Sequence, residues 1–248
     1  MSVRALLLDA DGNLFPSEEP AFVASADVTN ALLAELGSSQ RYDAEELRRA
    51  TTGMNFRTTA AALAAKSGRR LEPDALERWV TAEKEAVTDH LRRVLTPDDD
   101  VLDTLRRLAE RYELAAVSSS ALSRLDGCFA ATGLAALMPP ERRFSAEDSL
   151  PRPASKPDPA VYLHALEQLE LRADEALAVE DSPVGARAAV AAGIRTVGNL
   201  RFVAAGERAQ RTRELLAAGA GDIIETWAEL EPMLAGSGQP LAGTAIGG

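Results

Sequence analysis

Near the start of the chain, the sequence reads Val-Arg-Ala-Leu-Leu-Leu-Asp-Ala-Asp-Gly-Asn-Leu-Phe over residues 3–15. Residues 3–8 form a short apolar run, which is typical of a strand buried on both faces of a parallel sheet. Asp9 and Asp11 follow directly, and open α/β sheets bind their ligands at this carboxyl edge of the strands. The stretch therefore predicts a buried strand that presents two carboxylates at a ligand-binding edge.

The acidic part of this stretch has two simpler interpretations. Asp, Gly and Asn are turn formers, so residues 9–13 are also compatible with a plain strand-to-turn junction. The order Asp-x-Asp-Gly-Asn also resembles the start of a calcium-binding EF-hand loop. That loop needs Gly at its sixth position and a bidentate Glu at its twelfth, where this chain has Leu14 and Pro20. We therefore exclude the calcium loop and keep the turn as an alternative.

Further apolar runs alternate with helical patterns along the rest of the chain. The runs that resemble the first strand are residues 113–117, 176–179, 194–197 and 222–224. Between them, apolar side chains recur at helical spacing in residues 101–108, 161–169 and 184–191, and Gly193 follows as a C-terminal stop. This alternation predicts an α/β fold with a doubly wound, Rossmann-like parallel sheet.

Residues 16–95 interrupt the alternation. They contain no convincing strand, and we predict four helices there, at residues 21–36, 44–50, 55–67 and 74–92. Asp43 and Glu46 have the spacing of a capping box at the start of the second helix. We therefore expect a core formed by residues 1–15 and 96–235, a helical domain inserted at 16–95, and a disordered tail rich in small residues at 236–248.

Composition narrows the classes of function. The 248 residues carry a formal net charge of −11 and only 4% aromatic side chains, which argues against nucleic acid and anionic membranes as partners. The single cysteine, Cys128, excludes an internal disulfide framework and a Cys-rich zinc site. No apolar run reaches the roughly 18 residues of a spanning helix, and residues 3–8 are too short for a signal peptide. We therefore expect a cytoplasmic enzyme.

A serine cluster and a lysine stand out beyond the first strand. Residues 117–120 read Val-Ser-Ser-Ser, where Ser118 and the backbone N–H groups are placed to hold a phosphate oxygen. The alternative is a serine that caps the following helix. Lys156 precedes Pro157 in a rigid turn, where it would balance carboxylate charge and grip phosphate. Its alternative is a solvated surface lysine.

A second acidic stretch, Ala-Val-Glu-Asp-Ser-Pro over residues 178–183, places Glu180 and Asp181 after an apolar strand. Taken alone, Asp181 or Ser182 could simply cap the next helix. We expect all four stretches to lie at strand ends, so that carboxylates, serine and lysine meet on one edge of the sheet. Carboxylates brought together repel one another unless a cation or proton intervenes. Oxygen ligands favour Mg²⁺, so the set predicts a magnesium-dependent phosphoryl-transfer site.

These stretches resemble, in order and approximate spacing, the four motifs of the haloacid dehalogenase (HAD) superfamily. The resemblance runs from residue 3 to about residue 235, and its specific parts are Asp-Ala-Asp-Gly-Asn-Leu-Phe at 9–15 and Glu-Asp-Ser-Pro-x-Gly at 180–185. The helical insert is similar to the small α-helical cap of the subgroup that includes β-phosphoglucomutase and phosphoglycolate phosphatase. The resemblance therefore implies a Rossmann-like core with an inserted four-helix cap.

The resemblance also implies a catalytic role for each motif. Asp9 is then the nucleophile that forms an aspartyl phosphate. Asp11 is the general acid for the leaving alcohol and afterwards the base for water. Ser118 binds the transferring phosphoryl group, and Lys156 neutralises its charge beside Asp9.

Two sets of binding residues follow from the same resemblance. The implied phosphate-binding residues are Asp11, Gly12, Ser118, Ser119 and Lys156. The implied magnesium ligands are Asp9, Asp11 through its backbone carbonyl, Asp181, and Glu180 either directly or through water. A dianionic phosphate repels a carboxylate nucleophile, so Mg²⁺ and Lys156 must cancel that charge before attack.

One position separates the reactions found in this family. Dehalogenases and phosphonatases lack an acid two residues after the nucleophile, whereas Asp11 is present here. The β-phosphoglucomutase branch usually has a His about twelve residues after the nucleophile, where this chain reads Pro20-Ala21-Phe22. We therefore expect a Mg²⁺-dependent phosphatase. A sugar phosphomutase and a non-catalytic protein that binds phosphorylated metabolites remain alternatives, and a 2-haloacid dehalogenase is the weakest one.

The cap should select the substrate, because it closes over the site and brings side chains to the leaving group. The resemblance places the specificity loop at residues 51–57, and Gly53, Asn55, Arg57 and Arg49 are its candidate residues. An arginine there would hold a second anionic group, with a solvated helix face as the alternative. We expect the substrate to be a small phosphate ester, such as a sugar phosphate or a phosphoglycolate-like molecule, and the protein to be a monomer or homodimer.

Overall fold

The computed structural model describes residues 3–51 and 54–236 of the chain. These residues divide into two compact units. One unit contains the described residues within Met1–Phe15, Pro97–Leu125 and Gly133–Gly248, and the other contains those within Pro16–Thr96 and Asp126–Thr132. Within the described ranges, none of the helices has the length and apolar character needed to cross a bilayer.

The first unit is built on one parallel sheet of six strands in the order β3-β2-β1-β4-β5-β6. The strands are β1 (Ala5–Leu8), β2 (Glu113–Ser118), β3 (Arg143–Ser145), β4 (Ala176–Glu180), β5 (Arg195–Asn199) and β6 (Asp222–Ile224). The α-helices of the described chain are α1 (Glu18–Glu35), α2 (Ala44–Ala50), α3 (Phe56–Lys66), α4 (Pro73–Val94), α5 (Asp99–Ala109), α6 (Leu122–Thr132), α7 (Ala160–Gln168), α8 (Pro183–Ala191), α9 (Arg208–Ala217) and α10 (Leu230–Gly236). This strand order reverses direction beside β1, as in doubly wound folds, so the predicted fold class is confirmed.

The centre of the sheet is apolar because it is covered on both faces. Every residue of β1 is buried, as is every residue of β4. One core cluster joins alternate residues of β1, β2 and β4 with α7 and the small residues of α8, including Ala188 and Ala189. In the parallel register, Leu8 is level with Ala116 and with Val179. The residues that follow these three positions therefore emerge together at the carboxyl edge.

The sequence patterns did not predict β3, and they placed Lys156 wrongly. This strand has only three residues and begins with Arg143, whose Nε donates a hydrogen bond to the Met138 carbonyl 2.8 Å away. Neither its length nor its first residue produces an apolar run. Lys156 was expected at a strand end, and this expectation is wrong. It lies in the turn before α7, separated from Ser145 by an irregular segment.

The second unit is helical, with α1 to α4 as its main elements. The predicted capping box is confirmed, because the Asp43 carboxylate accepts a hydrogen bond from the backbone N–H of Glu46 and Glu46 reciprocates. Helix α1 begins at Glu18, three residues before its predicted start, because proline is tolerated in a first turn and Pro20 lies there. The predicted tail at 236–248 lies, apart from Gly236, outside the described residues.

Candidate active site at the carboxyl edge of the sheet

Three buried carboxyl groups converge at the carboxyl edge of the sheet. Asp9 directly follows β1, Glu180 is the last residue of β4, and Asp181 comes next. One oxygen from each of the three groups lies within 4.8 Å of the other two. The expected meeting of distant acidic residues is therefore observed, and the plain strand-to-turn interpretation does not account for it.

Lys156 lies at the centre of this acidic group. Its Nζ donates hydrogen bonds to Asp9 Oδ1 at 2.5 Å, to Glu180 Oε1 at 2.7 Å and to the Val117 carbonyl at 2.8 Å. An ammonium group has three donors, so all of them are used. The side chain is only 5% exposed, and the solvated-lysine interpretation is therefore wrong.

Burial and charge shift the protonation of this cluster. The pKa of Asp9 is raised to about 8, first by burial and then by repulsion from Glu180, while Lys156 opposes both effects. Burial lowers the pKa of Lys156, but attraction to Asp9 and Glu180 outweighs it, so that its pKa is above the usual range. The lysine is therefore charged, and without a metal ion Asp9 keeps its proton to a higher pH than a solvated aspartate does.

The raised pKa of Asp9 predicts a pH effect on the stability of the metal-free protein. Since the unfolded chain binds its proton with a pKa of 3.8 and the folded chain with a pKa of about 8, the folded state holds the extra proton between these values. The stabilisation from that proton is complete below pH 3.8 and is lost as the pH rises through 8. As the pH rises from about 4 to about 8, we therefore expect the free energy of unfolding of the wild type to fall relative to that of Asp9→Asn.

This pH effect can be measured by thermal unfolding of both proteins from pH 4 to pH 9 with a chelator present. Saturating Mg²⁺ should reduce the difference, because a cation favours the ionised carboxylate. Parallel stability curves for the two metal-free proteins would contradict the raised pKa.

Tyr162 is a part of the site that the sequence patterns did not indicate. This residue of α7 is fully buried, and its hydroxyl donates a hydrogen bond to Glu180 Oε1 at 2.5 Å. Burial and the neighbouring Glu180 raise the pKa of Tyr162 well above its usual value, so it stays a donor. The available signal was its hydroxyl, since buried tyrosines usually have a hydrogen-bond partner.

Two glycines make room for the carboxylates. A Cβ on Gly12 would lie 2.5 Å from Asp181 Oδ2, and Gly12 has a φ of +77°, so a side chain is excluded both by space and by conformation. A Cβ on Gly185 would likewise collide with the Glu180 carboxylate. Gly12 therefore lets the first motif approach Asp181 of the second, and Gly185 makes room for Glu180 within the second motif.

Asn13 ties the first motif to the neighbouring strand. Its Nδ2 donates to the Asp9 carbonyl at 2.8 Å and to the Val179 carbonyl at 3.2 Å, and its Oδ1 accepts from Asn199 at 2.8 Å. All these groups are buried. Sequence reasoning treated Asn13 as a turn former, because its partner Asn199 is distant in the chain.

The serine cluster lies beside Asp11. Asp11 Oδ2 accepts a hydrogen bond from Ser120 Oγ at 2.7 Å and a longer one from Ser118 Oγ at 3.4 Å. The Ser119 hydroxyl accepts from the Lys156 backbone N–H at 3.4 Å. Ser118 is therefore next to Asp11 and Ser119 next to Lys156, and their phosphate-binding roles remain predictions.

The helix-capping alternatives have different outcomes. The serines do not cap α6, whose N-cap is Ala121 and whose Leu122 N–H donates to Asp148 Oδ2 at 2.7 Å. Ser182 does cap α8, by accepting a hydrogen bond from the Gly185 N–H at 3.0 Å. Asp181 is not the cap.

Asp181 is instead held in place by Arg211 of α9. The Arg211 guanidinium donates to the Asp181 carbonyl at 2.7 Å, and it lies 3.8 Å from a carboxylate oxygen of the same residue. Sequence reasoning missed this arginine. It lies on α9, which contains several arginines, and no local pattern distinguishes it from the others.

The acidic group fits a hard divalent cation. Octahedral Mg²⁺ holds its oxygens at about 2.1 Å, which places them at most about 4.2 Å apart, and the oxygens of Asp9, Glu180 and Asp181 lie within a slightly wider limit of 4.8 Å from one another. Glu180 Oε2 is buried and has no hydrogen-bond partner among the described residues. A buried oxygen without a donor is costly, so a cation or its bound water would complete the site.

The specificity candidates of the helical unit already have partners within that unit. Arg49 Nε lies 2.8 Å from Glu45, and Arg57 Nη2 donates to Glu77 at 2.7 Å. Asn55 caps α3 by accepting from the Thr58 N–H at 2.9 Å. Gly53 lies outside the described residues. Their roles in substrate selection remain predictions.

The protein has an open, doubly wound sheet with an acidic cluster at its carboxyl edge, and the family match gives the class of protein to which this arrangement belongs. Over residues 6–199, the chain matches the family described as haloacid dehalogenase-like hydrolase, and it belongs to this family. The resemblance drawn from the motifs is thereby confirmed. None of the curated proteins matches the chain.

Solved structures share the fold over nearly the whole chain. A haloacid dehalogenase-like protein of unknown function from Agrobacterium tumefaciens is 26% identical, with a TM-score of 0.69 over 96% of this chain and 100% of its own. A HAD family hydrolase from Deinococcus radiodurans with bound phosphate and sodium is 28% identical, with a TM-score of 0.64 over 95% of this chain and 96% of its own. CbbY from Rhodobacter sphaeroides in complex with xylulose-1,5-bisphosphate is 24% identical, with a TM-score of 0.69 over 92% of this chain and 96% of its own.

Proposed function

We propose that the protein is a Mg²⁺-dependent phosphatase that hydrolyses a small phosphate monoester through phosphorylation of Asp9. The observation that carries this proposal is the position of the buried Asp9 carboxylate. One of its oxygens is 2.5 Å from the Lys156 ammonium group, and the carboxylates of Glu180 and Asp181 are adjacent. A nucleophile next to a fixed cation and a set of metal ligands suits attack on a phosphate dianion.

The proposed magnesium ligands are the Asp9 and Asp181 carboxylates and the Asp11 backbone carbonyl, with Glu180 acting directly or through water. The ion would neutralise charge on the phosphoryl oxygens. The Lys156 ammonium group is a second positive charge beside the nucleophile Asp9. Gly12, Ser118 and Ser119 complete the proposed phosphate-binding set through hydroxyl and backbone donors.

In the first chemical step, a carboxylate oxygen of Asp9 attacks phosphorus. The bond between phosphorus and the ester oxygen breaks, and its electron pair stays on that oxygen. Asp11 donates its proton to the same oxygen, which leaves as an alcohol. The products of this step are phosphorylated Asp9 and ionised Asp11.

In the second step, Asp11 accepts a proton from water while the water oxygen attacks phosphorus. The bond between phosphorus and Asp9 breaks, which releases inorganic phosphate. Asp9 is again a carboxylate and Asp11 is again protonated. The two steps together consume one ester and one water.

Asp11 favours phosphate esters over the other substrates of the family. An alkoxide is a poor leaving group without a proton, and the Asp11 carboxyl group is two residues from the nucleophile with its Oδ2 anchored by Ser120. A halide needs no such proton. The phosphate bound to the Deinococcus radiodurans hydrolase, at 28% identity, supports a phosphate ligand for this chain.

The proposed partner is therefore a small phosphorylated metabolite, and not a nucleic acid. The proposed location is the cytoplasm. The net charge of −11 disfavours polyanions, and a single cysteine, Cys128, cannot form an internal disulfide, as suits a reducing compartment.

The proposal is tested with a panel of phosphate esters, by measuring free phosphate and isomerised substrate in parallel. We expect phosphate release that EDTA abolishes and that added Mg²⁺ restores. Asp181→Asn should raise the Mg²⁺ concentration needed for half-maximal activity by at least about tenfold, since changing even a residue that only supports a metal ligand weakens metal binding by about 10–100-fold.

The matched control for this test is Asp222→Asn, which changes an exposed aspartate on β6 and should leave the Mg²⁺ requirement unchanged. Turnover that persists in EDTA, or interconversion of two sugar phosphates without phosphate release, would reject the proposal.

A further inference from the structure

Asp11 has a short contact that none of the family motifs assigns. The Ser120 hydroxyl oxygen lies 2.7 Å from Asp11 Oδ2, which is 0.7 Å closer than the Ser118 oxygen at 3.4 Å. Ser120 is two residues beyond the proposed phosphate-binding serine, in the segment between β2 and α6. A short hydrogen bond to a carboxylate is among the stronger ones in proteins, so Ser120 is the principal anchor of this oxygen.

Arg124 is the donor to the Ser120 hydroxyl group. Its Nη1 lies 3.4 Å from Ser120 Oγ, and a guanidinium group can only donate. The Ser120 oxygen accepts from Arg124, and its single proton is donated to Asp11 Oδ2. The three side chains form a chain of donors that runs from Arg124 through Ser120 to Asp11.

The backbone keeps Ser120 in this position. Its N–H donates to Ser118 Oγ at 3.0 Å, and the following helix is capped from a distance by Asp148, which accepts from the Leu122 N–H. Both ends of the short segment are thus fixed by hydrogen bonds. A fixed anchor restricts the orientation of the carboxyl group that it contacts.

We propose that Ser120, oriented by Arg124, is a positioning residue for the general acid. By donating to Asp11 Oδ2, it makes that oxygen the acceptor and leaves the transferable proton on Oδ1, so that the carboxyl group is aligned toward the leaving oxygen before the bond to phosphorus breaks. Ser120 acts through Asp11 and does not contact the reacting atoms. This inference rests on the proposed phosphatase activity, because proton transfer to an alcohol has a role only in ester cleavage.

The inference predicts an effect that depends on the leaving group. An alkyl phosphate needs a proton on its leaving oxygen, whereas 2,4-dinitrophenyl phosphate releases a phenolate that is stable without one. The ratio kcat/KM reports the steps up to release of the alcohol or phenolate, and the later hydrolysis of phosphorylated Asp9 is common to both esters. A residue that only supports the fold would affect both esters equally.

The experiment measures kcat/KM for both esters in the wild type and in Ser120→Ala. General acids contribute about 10²–10⁴-fold, and losing their alignment should cost part of this. We expect Ser120→Ala to lower kcat/KM for the alkyl ester at least about tenfold more than for the dinitrophenyl ester. Ser120→Thr retains the hydroxyl group and should restore most of the loss, and Arg124→Gln should show a weaker form of the same selectivity.

Three further variants calibrate the result. Asp11→Asn should show the same dependence on the leaving group more strongly, because it removes the acid itself. Ser118→Ala should lower kcat/KM for both esters, because it removes a proposed phosphate contact, and a smaller dependence on the leaving group should accompany this loss, because Ser118 Oγ also accepts from the Ser120 N–H. Ser123→Ala changes an exposed serine of α6 and should have no effect on either ester.

Equal losses for both esters in Ser120→Ala, or no loss in either, would overturn the positioning role while leaving the proposed function intact. The proposed function would fail in a different way, through a wild type that hydrolyses neither ester, or through an Asp11→Asn variant without dependence on the leaving group.

Discussion

Asp9→Asn should lower kcat for phosphate-ester hydrolysis by at least roughly 10⁴-fold, the scale seen when enzymes lose a covalent nucleophile. The amide has nearly the same volume as the carboxylate but lacks the negative oxygen that attacks phosphorus. The neighbouring carboxylates of Glu180 and Asp181 are proposed metal ligands, so we expect neither to replace Asp9 as the nucleophile. Rates on dinitrophenyl phosphate with saturating Mg²⁺ measure this change over the widest range.

A second measurement identifies the intermediate. Wild-type protein quenched in acid during turnover of a radiolabelled ester should carry phosphate on the peptide that contains Asp9, and Asp9→Asn should carry none. Asp222→Asn serves as the control for an aspartate change outside the site. Label that persists in the Asp9 variant, or activity above about one hundredth of the wild-type rate, would show that another group is the nucleophile.

Lys156→Met should affect both stability and activity. The Lys156 ammonium group is buried between Asp9 and Glu180, and its removal leaves carboxylate charge in a low-dielectric site without its partner. Removing one member of a buried ion pair costs roughly 3–5 kcal/mol, so we expect a decrease of this size in the free energy of unfolding of the metal-free protein. Turnover should be lost as well, because phosphate would meet Asp9 without the neutralising charge.

Denaturant unfolding in the presence of a chelator measures the stability loss. Lys66→Met is the matched control, since Lys66 is an exposed residue at the end of α3 and its replacement should change stability by less than about 0.5 kcal/mol. The deficit of Lys156→Met should shrink on addition of Mg²⁺, because the cation supplies part of the missing charge. A Lys156→Met protein as stable as the Lys66→Met protein would show that the ion pairs contribute nothing.

Much of the fold follows from local patterns. The apolar runs at β1, β2 and β4 are detectable because central parallel strands are buried on both faces, those at β5 and β6 were also found, and the capping box at Asp43 is a short-range hydrogen-bond pattern. The strand β3 escaped detection because three residues that begin with Arg143 carry no periodicity. Lys156 was wrongly placed at a strand end, although no apolar run directly precedes it in the sequence.

The fold class and the identity of the motif residues could be predicted from local patterns, because strand ends, acidic pairs and glycines such as Gly12 are local signals. The neighbours that complete the site became visible in the folded molecule alone. Tyr162, Asn199, Arg211 and Ser120 acquire their roles from side chains that are distant in sequence or outside any motif. The physical reason is that the parallel register brings the carboxyl ends of separate strands together, whereas the burial and hydrogen-bond partners of a polar side chain depend on every element packed around it.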